Sequence, residues 1–152
     1  MGAEIRSHRD LRVWQLGMDL AEKIYAVTAA FPRDELYGLT SQLRRAATSI
    51  PANIAEGNAR HSTREYARHI SIALGSLCEV ETFLELSQRL KYGDAHAIAQ
   101  SLTQLAGEGR MLRGLHKSLL TKLRPTTGPN HQPPATSHQP PATSHQPPAT
   151  SH

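Results

Sequence analysis

Between Asp34 and Arg60 the chain reads DELYGLTSQLRRAATSIPANIAEGNAR, and Leu36, Leu39, Leu43, Ala46, Ala47, Ile50, Ile54 and Gly57 recur at every third or fourth position. On a helix that spacing makes one continuous apolar stripe. At ~1.5 Å per residue the segment would run roughly 39 Å, a length suited to a bundle of equally long helices rather than to a compact globule. The small side chains of Ala46, Ala47, Ala52 and Ala55 let neighbouring backbones approach closely. Pro51 removes one helical hydrogen bond, which predicts a bend or short irregularity after Ala47 rather than a helix end. The turn is expected at Gly57 to Ser62.

The same period recurs along the rest of the chain. Asp10 is placed to cap a first helix running to about Ala30, with Val13, Gly17, Leu20, Ile24, Val27 and Phe31 on its core stripe. Trp14, Met18, Ala21 and Tyr25 form a second stripe beside it. Phe31 and Pro32 break this helix, and Asp34 is placed to cap the next. Ser62, Thr63, Arg64 and Glu65 have the pattern of a capping box that opens a third helix reaching about Tyr92. Its core stripe is Tyr66, Ile70, Ala73, Leu77, Val80 and Leu84, with Ile72, Ser76, Phe83, Leu86 and Leu90 alongside. Gly93 is a stop and Asp94 a cap for the fourth, which carries Ile98, Leu102, Leu105, Leu112, Leu119 and Leu123. No window alternates as a strand does. Four helices joined by about two to five residues predict an all-α, antiparallel, up-down-up-down four-helix bundle.

Three segments follow: an N-terminal extension over 1–9, the bundle over 10–124, and a tail over 125–152. The tail has no Asp, Glu, Lys or Arg and repeats HQPPATS three times from His131 to Ser151. With two prolines in seven residues and no large apolar side chain it cannot build a core, so disordered or polyproline-like chain is expected. Its regularly spaced His131, His138, His145 and His152 reflect repeat expansion more simply than metal binding.

Cys78 is the single cysteine, which rules out a disulfide framework and fits a reducing compartment. Its place between Leu77 and Val80 suggests a small core residue. No segment approaches the ~18 apolar residues of a membrane span, and the charged amino terminus has no leader-like run, so a soluble cytoplasmic protein is expected. Arg6 stands where a myristoylation signal wants Ser or Thr. Enzyme chemistry finds no footing: there is no Glu-x-x-His pair for a di-metal bundle site, no glycine-rich phosphate loop, no zinc-ligand spacing and no nucleophile on a strained turn. No cofactor or metal is expected.

The segments DLRVWQLGMDLAEKIY (Asp10 to Tyr25), TAAFPRDELYGLTSQLRRAATSIPANIAEGNAR (Thr28 to Arg60) and STREYARHISIALGSLCEVET (Ser62 to Thr82) resemble a small bacterial four-helix-bundle family. Its members include proteins encoded within intervening sequences of 23S ribosomal RNA genes and the accessory protein of diversity-generating retroelements. The resemblance spans about residues 10 to 123. It implies an antiparallel bundle assembled as a homopentameric, barrel-like ring, with binding of nucleic acid or of a reverse transcriptase attributed to the basic retroelement members. Most members have no established biochemical activity. The HQPPATS repeats are no part of the family pattern.

Charge adds a separate observation. In an up-down-up-down bundle, the start of helix one, the turn between helices two and three, and the end of helix four share one end. Arg6, Arg9, Arg12, then Arg60, Arg64, Arg68, then Arg110, Arg113, Lys117, Lys122 and Arg124 all fall there, eleven of the 17 basic residues. Only Glu4, Asp10, Glu56 and Glu65 oppose them, so this end is formally +7 while the remaining six basic and nine acidic residues carry −3. His8, His61, His69 and His116 would add charge below about pH 6.5. Solvated helix ends, with cations set favourably at the carboxyl end of helix four, account for any single Arg. The summed asymmetry is a phosphate-binding footprint. Arg9, Arg12, Arg60, Arg64, Arg68, Arg110, Arg113, Lys117 and Arg124 are therefore the candidate nucleic-acid-binding residues. With no interleaved aromatics and no base-reading motif, such binding would be led by the phosphate backbone.

The doubled stripes mark Trp14, Met18, Tyr25, Ile72, Phe83 and Leu86 as candidate contacts in a homo-oligomer. Arg45, Ser49, Asn53, Glu56 and Arg60 line one side of helix two. They read more simply as hydrogen-bonding across helices near Pro51 than as a ligand site. Two functional readings stand. One is an oligomeric accessory protein that binds RNA or DNA, or docks a nucleic-acid enzyme, through its basic end. The other is an oligomeric scaffold that presents its grooves to another protein.

Overall fold

Of the chain's 152 residues, the computed structural model describes Glu4 and residues 6–125. Four helices, α1 (Arg12–Thr28), α2 (Leu39–Ala59), α3 (Thr63–Leu90) and α4 (Ala95–Leu123), form an antiparallel bundle. Each helix packs against the next and α4 closes back on α1, while the diagonal pairs make no close backbone approach. No strand occurs among the described residues. The expected tail structure lies outside them.

The stripes read from the sequence are the core. Leu20, Ile24, Leu43, Ile50, Ile54, Ile70, Leu84, Ile98, Leu105 and Leu112 are fully buried, and each such side chain contributes about 1.5–3 kcal/mol by leaving water. Alanines and glycines set the spacing between helices. Ala46, Ala47 and Ala73 are buried, and Gly57 lies beneath Tyr66 and His69, where a Cβ would fall 2.8 Å from each side chain. That contact brings the end of α2 and the start of α3 together just before the turn at Arg60–Ser62.

Several boundaries differ from the sequence expectation. Asp10 does not cap α1. It lies in a 3-10 turn, His8–Asp10, where its Oδ2 accepts from the Arg6 and Ser7 amides at 2.9 and 3.1 Å, and Leu11 takes the cap position without a side-chain bond. Asp34 likewise does not cap α2. A second 3-10 turn, Arg33–Glu35, precedes that helix, and the Glu35 carboxylate accepts from the Leu39 amide at 2.9 Å across Gly38. The helix therefore starts at Leu39 and leaves Leu36 exposed. Leu123, placed on the core stripe of α4, is also exposed, in the last turn of that helix, where it lines a groove with Arg64 and Ala67 of α3.

The Ser62 hydroxyl accepts from the Glu65 amide at 3.3 Å, and the Asp94 carboxylate accepts from the Ala97 amide at 2.9 Å, as capping chemistry predicts. α3 stops at Leu90 because Lys91 turns left-handed (φ 58°) and the Tyr92 amide reaches back to the Ser87 carbonyl at 2.9 Å. Gly93 follows with φ 69°, and a Cβ there would meet the Phe31 ring at 2.9 Å. Pro51 lies inside α2 without ending it.

Candidate nucleic-acid interface

All nine candidate cations, Arg9, Arg12, Arg60, Arg64, Arg68, Arg110, Arg113, Lys117 and Arg124, are exposed. The topology sets the start of α1, the α2/α3 turn and the end of α4 at one end of the bundle. Side chains from different helices meet there. Arg64 and Arg68 of α3 share a groove with His116, Leu120 and Leu123 of α4, and Arg12 of α1 lines a cavity with Arg110 of α4. α4 presents its cations beside its leucine stripe, and the Arg113 guanidinium folds over Gly109, whose missing Cβ leaves it room (Nη1 at 3.1 Å from the Cβ position).

Arg60 is bound differently from the rest. Its Nη2 donates to Glu56 Oε1 at 2.8 Å and its Nε lies 3.8 Å from Glu65 Oε2. That hydrogen bond, with the fields of His69 and Arg68, holds the Glu56 carboxyl below its ordinary range. Among the described residues no other member of the set is ion-paired, so eight exposed cations have no carboxylate partner.

His69 belongs to the core rather than to the charged surface. It is buried between α2 and α3, its Nδ1 lies 3.2 Å from Asn53 Oδ1, and its Nε2 is 3.9 Å from Glu56. Asn53 Nδ2 in turn donates to the Ser49 carbonyl at 2.8 Å, which leaves its Oδ1 to accept from a protonated Nδ1. Ser76 donates to Ser49 across the same seam at 2.8 Å. The polar side of α2 thus forms a hydrogen-bonded seam to α3. His8 stacks edge-on against Trp14, with ring centroids 5.0 Å apart.

The apolar candidates divide. Trp14 and Phe83 are half-buried against the core, whereas Met18, Tyr25, Ile72 and Leu86 are exposed. Arg44 covers one face of Tyr25 at 4.6 Å from the ring centroid. Beside it Leu36 and Tyr37, the latter 94% exposed, extend the apolar surface along the α1/α2 side. Ile72 lies with Leu120 and Leu123 on the α3/α4 side, the opposite face. The turn that displaces Leu36 also exposes Tyr37, and helical periodicity does not reveal it. Cys78 is exposed, not a core residue: it falls between the inward positions Leu77 and Val80 and faces solvent.

One buried residue escaped the sequence reading. Glu108 is 1% exposed, and neither carboxylate oxygen has a hydrogen-bond partner. Its position between Leu105 and Leu112, on the three-and-four spacing of the α4 stripe, was the available signal. Burial pushes its carboxyl up to about 8. Among the described residues no group of three or more His, Cys, Asp and Glu side chains is placed to hold a metal ion, and no helix is long and apolar enough to cross a membrane.

Against known proteins, residues 9–114 match the 23S rRNA-intervening sequence protein family. A crystal structure of a protein of unknown function from the S23 ribosomal protein family of Bacteroides thetaiotaomicron superposes with a TM-score of 0.63. It is 24% identical, and the alignment covers 69% of this chain and 98% of that one. That likeness is one of fold. No curated protein is significantly similar to the chain.

Proposed function

The chain belongs to the 23S rRNA-intervening sequence protein family, and from that premise we propose that it is a non-enzymatic, self-associating bundle that binds nucleic acid through its basic end. The observation that carries this reading is the segregation of charge: eleven of 17 basic residues lie towards one end against six acidic ones once Asp19 and Glu108, which share the cavity of Arg12 and Arg110, are counted, formally +5 against −1 over the remainder. Among the described residues, eight exposed cations there have no carboxylate partner. Contacts of this kind neutralise phosphates and release counterions, so binding is steep in salt and weak in sequence preference. RNA and DNA both satisfy the chemistry, and the rim is equally open to an anionic surface on a nucleic-acid enzyme.

Self-association is supported by the exposed Met18, Tyr25, Leu36 and Tyr37 on one face and Ile72, Leu120 and Leu123 on the opposite one. Two different faces pair head to tail, the arrangement that closes into rings. A pentameric ring is the form we propose, on the family resemblance. Copies arranged about one axis would repeat the basic end around it.

Replacing Arg110, Arg113 and Lys117 together by Glu tests the assignment. Helicity and oligomer mass are expected to stay as in the parent while binding to duplex DNA and structured RNA is lost. Retained binding would remove these residues from the interface, and a collapse of the oligomer would make them assembly contacts. The exposed apolar side chains favour a second reading, a protein scaffold, which gains if the parent chain assembles but binds neither polymer at low salt.

A further inference from the structure

We propose that Glu108 is held in the folded bundle as a neutral carboxylic acid whose O–H donates to the backbone carbonyl of Ala47, so that α4 is latched to α2 through the gap left by Gly17. Pro51 has no amide hydrogen, and the helical acceptor four residues before it is the Ala47 carbonyl. Ala47, Ile50 and Pro51 are buried, which denies that carbonyl an easy replacement from water. Buried backbone oxygens seldom go without a donor.

The geometry brings Glu108 to the same place. A Cβ at Gly17 would stand 3.2 Å from Glu108 Oε1, 3.5 Å from Pro51 Cβ and 3.7 Å from Ile50 Cγ2, so the carboxyl and the proline ring flank one point beside α1. As a carboxylate, Glu108 would bury a full charge with both oxygens unanswered. As an acid it carries the one donor this part of the core lacks.

The charged neighbours supply no ion pair. From α1, Arg12 and Asp19 share a cavity with Glu108, and Arg110 of α4 lines it too, yet none bonds to the carboxyl. From α2, Ile50 Cγ2 and Pro51 Cβ are among the three atoms nearest the Gly17 Cβ position, and neither residue is titratable. The buried titratable group of α3 is His69, which is engaged with Asn53. Burial accordingly raises the carboxyl. On ionisation the proton passes to solvent, the donor is lost, and the latch opens as a charged group in the core.

The test uses the full chain. Its infrared spectrum at about pH 6 is expected to contain a protonated-carboxyl band that is absent from Glu108→Gln and titrates away with a midpoint near 8. Glu108→Gln keeps a donor and is expected to melt close to the parent at that pH, whereas Glu108→Leu is expected to melt several degrees lower. Pro51→Ala returns an amide to Ala47, so in that background the Glu108→Leu deficit should shrink by at least half. No such band at pH 6, or the same Glu108→Leu deficit with and without Pro51, would overturn the assignment. The band and the Glu108→Gln comparison keep it testable should Glu108→Leu fail to fold.

Discussion

Gly57 of α2 and His69 of α3 meet so closely that a Cβ on the glycine would lie 2.8 Å from the His69 Cβ, with Tyr66 Cδ2 at the same distance. Neither obstacle is the loose end of a flexible chain. Gly57→Ala gains roughly 1 kcal/mol in helix propensity but forces the two helices apart, at a cost of about 1–3 kcal/mol. The net expectation is a lower midpoint in urea. Gly75, exposed in the middle of α3 with nothing within 4 Å of its Cβ position, is the control. Gly75→Ala should raise stability by ~0.5–1 kcal/mol. The opposite order of the two variants would mean the α2/α3 approach is looser than described.

Glu108 sets the response to alkali. Its carboxyl is raised from 4.5 to about 8 by burial. Between those values the folded chain holds a proton that the unfolded chain has released, so stability is full below the lower value and falls as pH rises. The slope is at most ~1.4 kcal/mol per pH unit, and it levels off above the folded value. Glu56 acts in the other direction and elsewhere, because its lowered carboxyl contributes stability that is lost only as pH falls below the ordinary carboxylate range. Urea midpoints measured from about pH 5 to 9 should decline for the parent and lie flat for Glu108→Gln. A parent curve that is flat or rising over that interval contradicts the neutral acid.

At the far end, Asp94 accepts from the Ala97 amide at 2.9 Å and starts α4. Asp94→Ala is expected to cost about 1 kcal/mol, which in a bundle of this size lowers the melting temperature by roughly 4 °C. Asp34→Ala, at a position that makes no such bond, should leave it unchanged within about 1 °C. Equal losses for both would mean that Asp34 caps a helix after all.

Removal of 125–152 probes the tail. The segment has no charged side chain and no large apolar one, and by composition it is expected to add nothing to the bundle core. The shortened chain is expected to keep its circular dichroism, melting temperature and oligomer mass. A fall of many degrees on deletion would assign the repeats a structural part.

Helical period alone located all four helices and most of the core, because each stripe is read from three-and-four spacing that packing then uses: Val13, Leu20 and Ile24 on α1, Ile70, Val80 and Leu84 on α3. Helix starts were less legible. Asp10 and Asp34 have capping chemistry, but both fall in 3-10 turns: Leu11 holds the cap position of α1 without a side-chain bond, and Glu35 accepts from the Leu39 amide in the role expected of Asp34. Exposure at the stripe ends depends on where each helix starts and stops: Leu36 falls in the turn before α2, and Leu123 in the last turn of α4. Cys78 was misplaced because apolar neighbours on either side do not fix the phase of a single residue. The shared end of the exposed cations was legible from topology and charge, whereas the pairing of Arg60 with Glu65 and the burial of His69 depend on the turn after Gly57.

Binding of the full chain to structured RNA and to duplex DNA across a salt series, with its mass measured in parallel by light scattering, tests the basic end. An oligomer whose affinity falls steeply with salt is expected. The logarithmic slope should be several units, since each neutralised phosphate adds about 0.7–0.9. An intact oligomer that binds neither polymer at low salt would contradict it.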